Sequence, residues 1–263
     1  MSELNFVTVG DGTRIANRID GDADKPVLVL ANSIGTTLHM WDGEIEALSQ
    51  HFRVLRYDYR GHGSSSVPVG AYSLDRLGRD VIELLDALNI ERVHFLGLSL
   101  GGFVGQWLAI HAPERIDRLV LSNTSAHLGP AKAFDDRIAA VLQAPDMSEM
   151  AEMFLANWFP AQWLAANGPV IEKFRTMLRT IDRHGLAGLF AAVRDMDLSR
   201  TIALISRPTL VIAGQHDTVT ALSHSELIAA AVPGARLVVL PAVHLSNVEY
   251  PDEFLDAVLG FLR

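Results

Sequence analysis

Short apolar segments rich in β-branched residues recur along the chain, each about as long as one strand of a sheet. They cover residues 6–9, 15–19, 27–31, 54–57, 93–98, 119–122, 210–213 and 237–240. Helical patterns lie between several of them, and the clearest, over residues 74–88, places leucines and Val81 on one face. Its polar face carries Asp75, Arg79, Asp80 and Glu83. Strands that alternate with helices predict an α/β fold with a mostly parallel, eight-stranded sheet and helices on both faces.

Two departures from this alternation shape the predicted domain organisation. The first two segments have no helix between them and are joined by Gly10-Asp11-Gly12, which predicts a hairpin turn and an antiparallel pair leading into the parallel sheet. Residues 125–200 contain no strand-like segment, only helical patterns interrupted by Pro130, Pro145, Pro160 and Pro169. We therefore predict a core formed by residues 1–124 and 201–263, with residues 125–200 inserted as a helical cap.

The composition indicates a folded protein and narrows its partners. Of the 263 residues, 49% are hydrophobic and 20% are charged, which is enough apolar material for a large core. Lys and Arg total 22 against 31 Asp and Glu, and the resulting formal charge of −9 disfavours nucleic acid and anionic membranes as partners. The sequence has no cysteine, no signal-peptide pattern and no apolar run near the ~20 residues that span a bilayer. We expect a soluble cytoplasmic protein of undetermined oligomeric state.

The strongest chemical signal is Gly97-Leu98-Ser99-Leu100-Gly101-Gly102. It directly follows the predicted strand at 93–98 and precedes an apolar helical pattern at 103–110, which is the strand–turn–helix setting of a nucleophile elbow. A sharp turn there holds the Ser99 hydroxyl exposed, and glycines at 97 and 101 make the tight backbone sterically possible. The same short pattern also occurs in ordinary turns, but its position after the fifth strand favours Ser99 as a nucleophile.

A serine nucleophile needs a base and an acid, which follow an elbow of this type in the order acid, then histidine. His244 lies just past the last predicted strand, where a loop at the carboxyl edge of the sheet can reach the elbow. Asp217 directly follows the seventh strand, whereas Asn123 at the end of the sixth offers no carboxylate. Asp217 could instead cap the next helix, and His244 could be a surface residue. Asp195 and Asp197 remain alternative acids.

Acyl transfer by a serine also needs two N–H groups that stabilise the oxyanion. We expect one from Leu100, directly after the nucleophile, and the other from Ile34 in the loop after the third strand. Asn32 in that loop stands where many hydrolases carry a histidine. No histidine pair has metal-ligand spacing, and the polar segment at 56–65 lacks the Gly-Lys-Ser/Thr of a nucleotide loop. Neither a metal nor another cofactor is therefore expected, and the polar segment is assigned to a hydrogen-bonded turn.

With these residues in place, the chain resembles the 3-oxoadipate enol-lactonase family of the α/β-hydrolase superfamily, nearly end to end. The stretches most particular to that family are Asn32-Ser33-Ile34-Gly35-Thr36, Arg194-Asp195-Met196-Asp197-Leu198 and His244-Leu245-Ser246-Asn247-Val248-Glu249. Leu100 replaces a methionine common in the family, which matters little for a residue that acts through its backbone. The resemblance implies an α/β-hydrolase fold and hydrolysis of an unsaturated five-membered lactone with an acetate arm to 3-oxoadipate, in the β-ketoadipate pathway of aromatic degradation.

The partner implied by this resemblance is a small anionic lactone, and its carboxylate needs a cation, because a fixed arginine can pair with it bidentately. Arg137 and Trp158, both in the predicted cap, are the candidates for substrate binding. Arg137 could equally lie on a solvated helix face, and Trp158 in the core of the cap. A general carboxylesterase, a carbon–carbon bond hydrolase and a small-ligand receptor with slow residual hydrolysis share this fold. A haloalkane dehalogenase is disfavoured because its nucleophile is a carboxylate.

Overall fold

A computed structural model describes residues 3–263, and these contain one eight-stranded sheet. The strands are β1 Asn5–Thr8, β2 Arg14–Asp20, β3 Val27–Ala31, β4 Arg53–Tyr57, β5 Val93–Leu98, β6 Ile116–Ser122, β7 Thr209–Gly214 and β8 Arg236–Leu240. They lie in the order β1-β2-β4-β3-β5-β6-β7-β8. Strand β2 runs antiparallel to both neighbours, and the other pairs are parallel. The predicted strands, the hairpin and the mostly parallel sheet are confirmed.

Helices cover both faces of the central sheet. Every residue of β5 and β7 is buried. Because successive side chains of a strand point to opposite faces, this burial shows that both faces of the sheet are covered there. The helices are α1 Ile45–Ser49, α2 Leu74–Ala87, α3 Leu100–His111, α4 Ala131–Gln143, α5 Ser148–Trp158, α6 Ala161–Ala166, α7 Pro169–Arg179, α8 Arg183–Asp195, α9 Leu222–Ala231, α10 Ser246–Glu249 and α11 Pro251–Leu262. Within residues 3–263, no helix has both the length and the apolar composition needed to cross a bilayer.

Helices α4 to α8 connect β6 to β7 as an all-helical insertion. Pro130 and Pro160 directly precede α4 and α6, and Pro169 is the first residue of α7, because proline is tolerated at a helix start but not in its interior. Helix α4 packs on α8, and α5 packs on α7. The two ends of the insertion meet, since the Leu198 N–H donates to the Ala126 carbonyl at 2.8 Å. The division at 125–200 into a separate cap stays a prediction.

The polar face of α2 differs from its prediction at Asp80, which is buried with an exposed fraction of 3%. Arg60, from the segment after β4, binds its carboxylate bidentately, with Nε 2.6 Å from Oδ2 and Nη2 2.7 Å from Oδ1. Arg76, one turn earlier on α2, bonds the same carboxylate at 3.1 Å. The helical pattern of residues 74–88 cannot show that an arginine from another segment binds Asp80. The pattern therefore predicts a solvent-exposed carboxylate at this position.

Asp80→Ala is expected to lower the free energy of unfolding by about 3 kcal/mol, because it leaves the buried Arg60 guanidinium without its bidentate partner. Arg60 keeps a contact of 2.9 Å with the half-exposed Asp11, which limits the loss. In urea unfolding, the midpoint should fall at unchanged slope. The control is Asp75→Ala on the same helix, which breaks an exposed pair with Arg79 and should cost less than about 1 kcal/mol. Equal losses in both variants would contradict this account.

Candidate active site

Ser99 occupies the turn between β5 and α3 with φ 56° and ψ −114°. Residues with a side chain rarely adopt this region, so the turn is strained. Glycines flank it for a steric reason: a Cβ at Gly97 would overlap the Gly101 carbonyl, and a Cβ at Gly101 would overlap the end of β3. The Ser99 N–H donates to the Ser122 carbonyl at 3.0 Å, and Thr124 Oγ1 donates to the Ser99 carbonyl at 2.8 Å. These contacts hold the serine at the carboxyl edge of the sheet.

Asp217 and His244, from the loops after β7 and β8, form a buried pair. His244 Nδ1 lies 2.7 Å from Asp217 Oδ2, and its N–H donates to the carboxylate. Asp217 also accepts from the backbone N–H groups of Val219 and Thr220, from Thr220 Oγ1 and from Asn123 Nδ2. Burial by itself would raise the pKa of the Asp217 carboxyl, but the His244 charge and these donors outweigh it and hold that pKa below its usual value. The ionised carboxylate orients the imidazole with Nε2 available to accept a proton.

Ser99 and His244 line the same cavity, which has a volume of about 270 Å³ and is also lined by residues of α4, α5 and α8. Its lining mixes polar and apolar residues and includes five aromatic side chains, Phe103, Phe134, Phe154, Trp158 and Phe190. In the part of the chain that the structure describes, no hydrogen bond joins the Ser99 hydroxyl to His244. Contacts of this kind often tighten only when substrate binds. The structure therefore joins acid to base and places the serine in the cavity that the base also faces.

Ile34 and Leu100, the predicted oxyanion donors, both line this cavity. Over residues 3–263, neither backbone N–H finds a hydrogen-bond acceptor. Leu100 is the first residue of α3, where a helix leaves its N–H groups without an internal partner. The neighbouring Gly101 N–H is engaged differently, because it donates to the Asn32 carbonyl at 3.0 Å and ties the elbow to the loop after β3. The two residues with a free backbone N–H thus line the same cavity as Ser99.

Arg137 from α4 and Trp158 from α5 both reach the cavity. The Arg137 guanidinium lies 5.0 Å from the centre of the Phe134 ring. Among the described residues, it is the one lysine or arginine that lines the cavity, and no carboxylate there pairs with it. Trp158 is buried and packs against Phe154 at 4.9 Å between ring centres, so it also forms part of the core of the helical insertion. Arg137 can therefore pair with an anion that enters the cavity.

Sequence reasoning missed several residues around these groups. His62 Nε2 accepts a hydrogen bond from the Gly35 N–H at 3.2 Å, next to Ile34. Burial lowers the pKa of His62 to about 4, which keeps the ring neutral and able to accept near neutral pH. Asn157 lines the cavity beside Trp158. His62 belongs to the polar segment at 56–65 that the sequence assigns to a hydrogen-bonded turn, but the pattern does not show that its ring meets the loop after β3.

The alternative acids are engaged elsewhere. Asp195 is exposed and pairs with Arg194 at 2.7 Å, and Asp197 is exposed and accepts from the Ser199 N–H at 2.9 Å. Within residues 3–263, no group of three or more His, Asp or Glu side chains is arranged to hold a metal ion.

A family profile described as alpha/beta hydrolase fold matches residues 26–251, and the chain belongs to this family. It is 40% identical over 243 residues to 3-oxoadipate enol-lactonase 2 of Acinetobacter baylyi, which covers 92% of this chain and 91% of the relative. It is 34% identical over 249 residues to RutD, a proposed carbamate hydrolase of Pseudomonas savastanoi pv. phaseolicola, over 92% and 95% of the two chains. The crystal structure of a hydrolase from Pseudomonas aeruginosa matches with a TM-score of 0.98 and 67% identity, over 99% of this chain and 98% of that one. The fold expected from the resemblance is confirmed, and the protein is a hydrolase.

Proposed function

We propose that the protein is a serine hydrolase that opens 3-oxoadipate enol-lactone to 3-oxoadipate. Ser99 is the nucleophile, His244 the general base, and Asp217 the acid that orients the base. The observation that carries the proposal is the buried hydrogen bond of 2.7 Å between Asp217 and His244, because His244 lines one small cavity together with a serine held in a strained turn. Backbone strain and buried ionisable groups cluster at functional sites because a structure tolerates their cost where they serve a reaction.

In the first half-reaction, Ser99 Oγ attacks the lactone carbonyl carbon while His244 Nε2 takes the hydroxyl proton. The carbonyl oxygen becomes an oxyanion, which the free N–H groups of Ile34 and Leu100 stabilise. Collapse of this tetrahedral intermediate breaks the ring C–O bond, and the departing enolate oxygen receives the proton held by His244. Since the bond lies within a ring, the leaving group stays attached to the acyl-enzyme.

In the second half-reaction, a water molecule attacks the ester carbonyl carbon and gives a proton to His244. The bond to Ser99 Oγ then breaks, and His244 returns the proton to the serine. Asp217 stays ionised throughout, because its hydrogen-bond donors keep its pKa low, and it stabilises the imidazolium that forms in each half. The net reaction consumes one lactone and one water and releases the ring-opened enol acid, which is the enol tautomer of 3-oxoadipate.

The enol-lactonase relative and the charge of the cavity support this choice of substrate. A cavity of about 270 Å³ suits a small ligand. Arg137 supplies an unpaired cation that matches the acetate arm of the lactone. The five aromatic side chains that line the cavity lower the local polarity around Arg137, and a less polar surrounding strengthens a charge pair. The β-ketoadipate pathway of aromatic degradation is the metabolic setting in which such a lactone arises and its product is consumed.

Turnover of three compounds by the purified protein tests the substrate assignment. They are the enol-lactone, followed by loss of its ultraviolet absorbance, the neutral ester 4-nitrophenyl acetate, and a simple carbamate. We expect kcat/KM for the enol-lactone to exceed both others by at least about a hundredfold. A preference for the neutral ester would indicate a general carboxylesterase, and a preference for the carbamate would indicate the activity proposed for the RutD relative. Tight binding without turnover would indicate a receptor.

Arg137→Ala is expected to raise KM for the anionic enol-lactone by about tenfold or more, because a charge-assisted pair is lost, while kcat changes little. Hydrolysis of 4-nitrophenyl acetate should stay unchanged, since that ester carries no carboxylate. Arg179→Ala is the matched control, because Arg179 is exposed on α7 and does not line the cavity. Steady-state kinetics on both substrates measure the effect. Equal losses for the charged and the neutral substrate would remove Arg137 from substrate recognition.

A further inference from the structure

Asn123, directly after β6, connects several parts of the candidate site through one side-chain amide. Its Nδ2 group donates to Asp217 Oδ2 and to the Val243 carbonyl, each at 3.1 Å. Its Oδ1 atom accepts from Ser122 Oγ at 2.9 Å and from Ser246 Oγ at 2.7 Å. These contacts use both donors and both acceptor positions of the amide, and the residue is fully buried.

The arrangement links the two partners of the acid–base pair. Asp217 belongs to the loop after β7, and Val243 immediately precedes His244 in the loop after β8. One NH₂ group therefore fixes the carboxylate and the backbone next to the imidazole at the same time. Gly214 leaves room for this approach, because a Cβ there would overlap the Val243 carbonyl and lie 2.8 Å from Asn123 Nδ2.

The backbone conformation of residue 123 also favours asparagine. Its φ of 44° lies in the left-handed region, which asparagine tolerates better than most residues. A carboxylate of the same shape would direct an oxygen at two acceptors, the Asp217 carboxylate and the Val243 carbonyl. The contacts at this position therefore require hydrogen-bond donors, which an ionised aspartate lacks.

We propose that Asn123 is a positioning residue of the Ser99–His244–Asp217 site, whose NH₂ group holds the acid and the histidine loop in register. The proposal rests on the proposed function, because it assigns to Asn123 an effect on the rate of that reaction. It acts through Asp217 and His244 and does not touch the substrate.

Asn123→Asp tests the proposal, because it keeps the shape and Oδ1 but replaces the NH₂ group with an oxygen that carries one donor when protonated and none when ionised. Among the titratable groups near the new carboxyl, Asp217 contacts it directly and His244 is bonded to Asp217. Glu249 accepts from the Val243 N–H at 2.8 Å, and His216 acts electrostatically on Glu249. Burial and the neighbouring Asp217 charge should keep the new carboxyl protonated near pH 6, where it can still donate one hydrogen bond. At higher pH it loses that proton and repels Asp217.

We therefore expect the kcat deficit of Asn123→Asp relative to wild type, measured with 4-nitrophenyl acetate, to grow from about fivefold near pH 6 to about a hundredfold near pH 9. KM should stay within about threefold of wild type. Burial raises the pKa of Glu249 in the wild type, so the wild-type kcat measured at each pH is the reference for the variant. A deficit that is the same at every pH, or below about twofold throughout, would overturn the proposal.

Asn89→Asp is the matched control. Asn89 also has a left-handed backbone, with φ 54°, but it is exposed beyond the end of α2. The same chemical change there should leave kcat unaltered at each pH. Should Asn123→Asp fail to fold, Asn123→Ala removes the same donors without adding charge, and it should lower kcat by about tenfold at unchanged KM. Full kcat in that variant would equally overturn the proposal.

Wild type and Ser99→Ala, assayed on the same ester, separate the two levels of inference. Loss of hydrolysis in Ser99→Ala together with a pH-independent deficit in Asn123→Asp would overturn only the role of Asn123. Hydrolysis that persists in Ser99→Ala would overturn the proposed function itself.

Discussion

Ser99→Ala is expected to lower kcat for the enol-lactone by at least about 10³-fold, with KM close to that of the wild type. A methyl group can neither attack the carbonyl carbon nor form the acyl-enzyme, so both half-reactions are lost. The free amides of Ile34 and Leu100 and the binding contacts remain, and they account for any residual rate above that in water. Steady-state kinetics with enough enzyme to detect a weak activity measure the change.

The matched control is Ser223→Ala on the exposed side of α9, which should keep full kcat. Thermal unfolding of both variants shows whether each is folded at the assay temperature, so that a lower kcat is not caused by unfolding. The position has a strained backbone with either residue, so we expect similar stability in Ser99→Ala and wild type. If Ser99→Ala keeps more than about 10⁻³ of the wild-type kcat, Ser99 is not the nucleophile.

Asp217→Asn is expected to lower kcat by about 10³- to 10⁴-fold. The neutral amide removes the negative charge that stabilises the imidazolium. An amide NH₂ facing His244 Nδ1 also favours the tautomer in which Nε2 carries the proton, and that form cannot accept a proton from the Ser99 hydroxyl. The loss should extend over the whole range from about pH 5 to 9, because the wild-type carboxyl, whose pKa is lowered, is ionised throughout it.

Asp24→Asn, in an exposed turn between β2 and β3, makes the same chemical change away from the cavity and should have no effect on kcat. Imidazole proton resonances give a second measurement, because the strongly hydrogen-bonded Nδ1–H signal of His244 should be lost or shifted in Asp217→Asn only. A loss of less than about tenfold in kcat would show that another group orients the base.

Much of the fold could be predicted because it depends on patterns within short segments. Short apolar runs rich in β-branched residues identified the strands, and the glycines at 97 and 101 identified a tight turn in which side chains at those two positions would overlap the backbone. The pattern for α2 failed at Asp80, where Arg60 from another segment binds a carboxylate that the helix alone would leave in water. Asn123 was noted only for the carboxylate it lacks, although its amide contacts both loops of the candidate site.

The sequence by itself determined the elements, the elbow and the candidate residues, since local sterics and hydrophobic periodicity act over a few neighbouring positions. Only the tertiary structure decided that Asp217 meets His244 at 2.7 Å, that Asn123 joins them, and that Arg137 reaches the same cavity. The physical reason is the parallel sheet. It brings the carboxyl ends of β5, β6, β7 and β8 to one edge, so that loops distant in sequence share hydrogen bonds there.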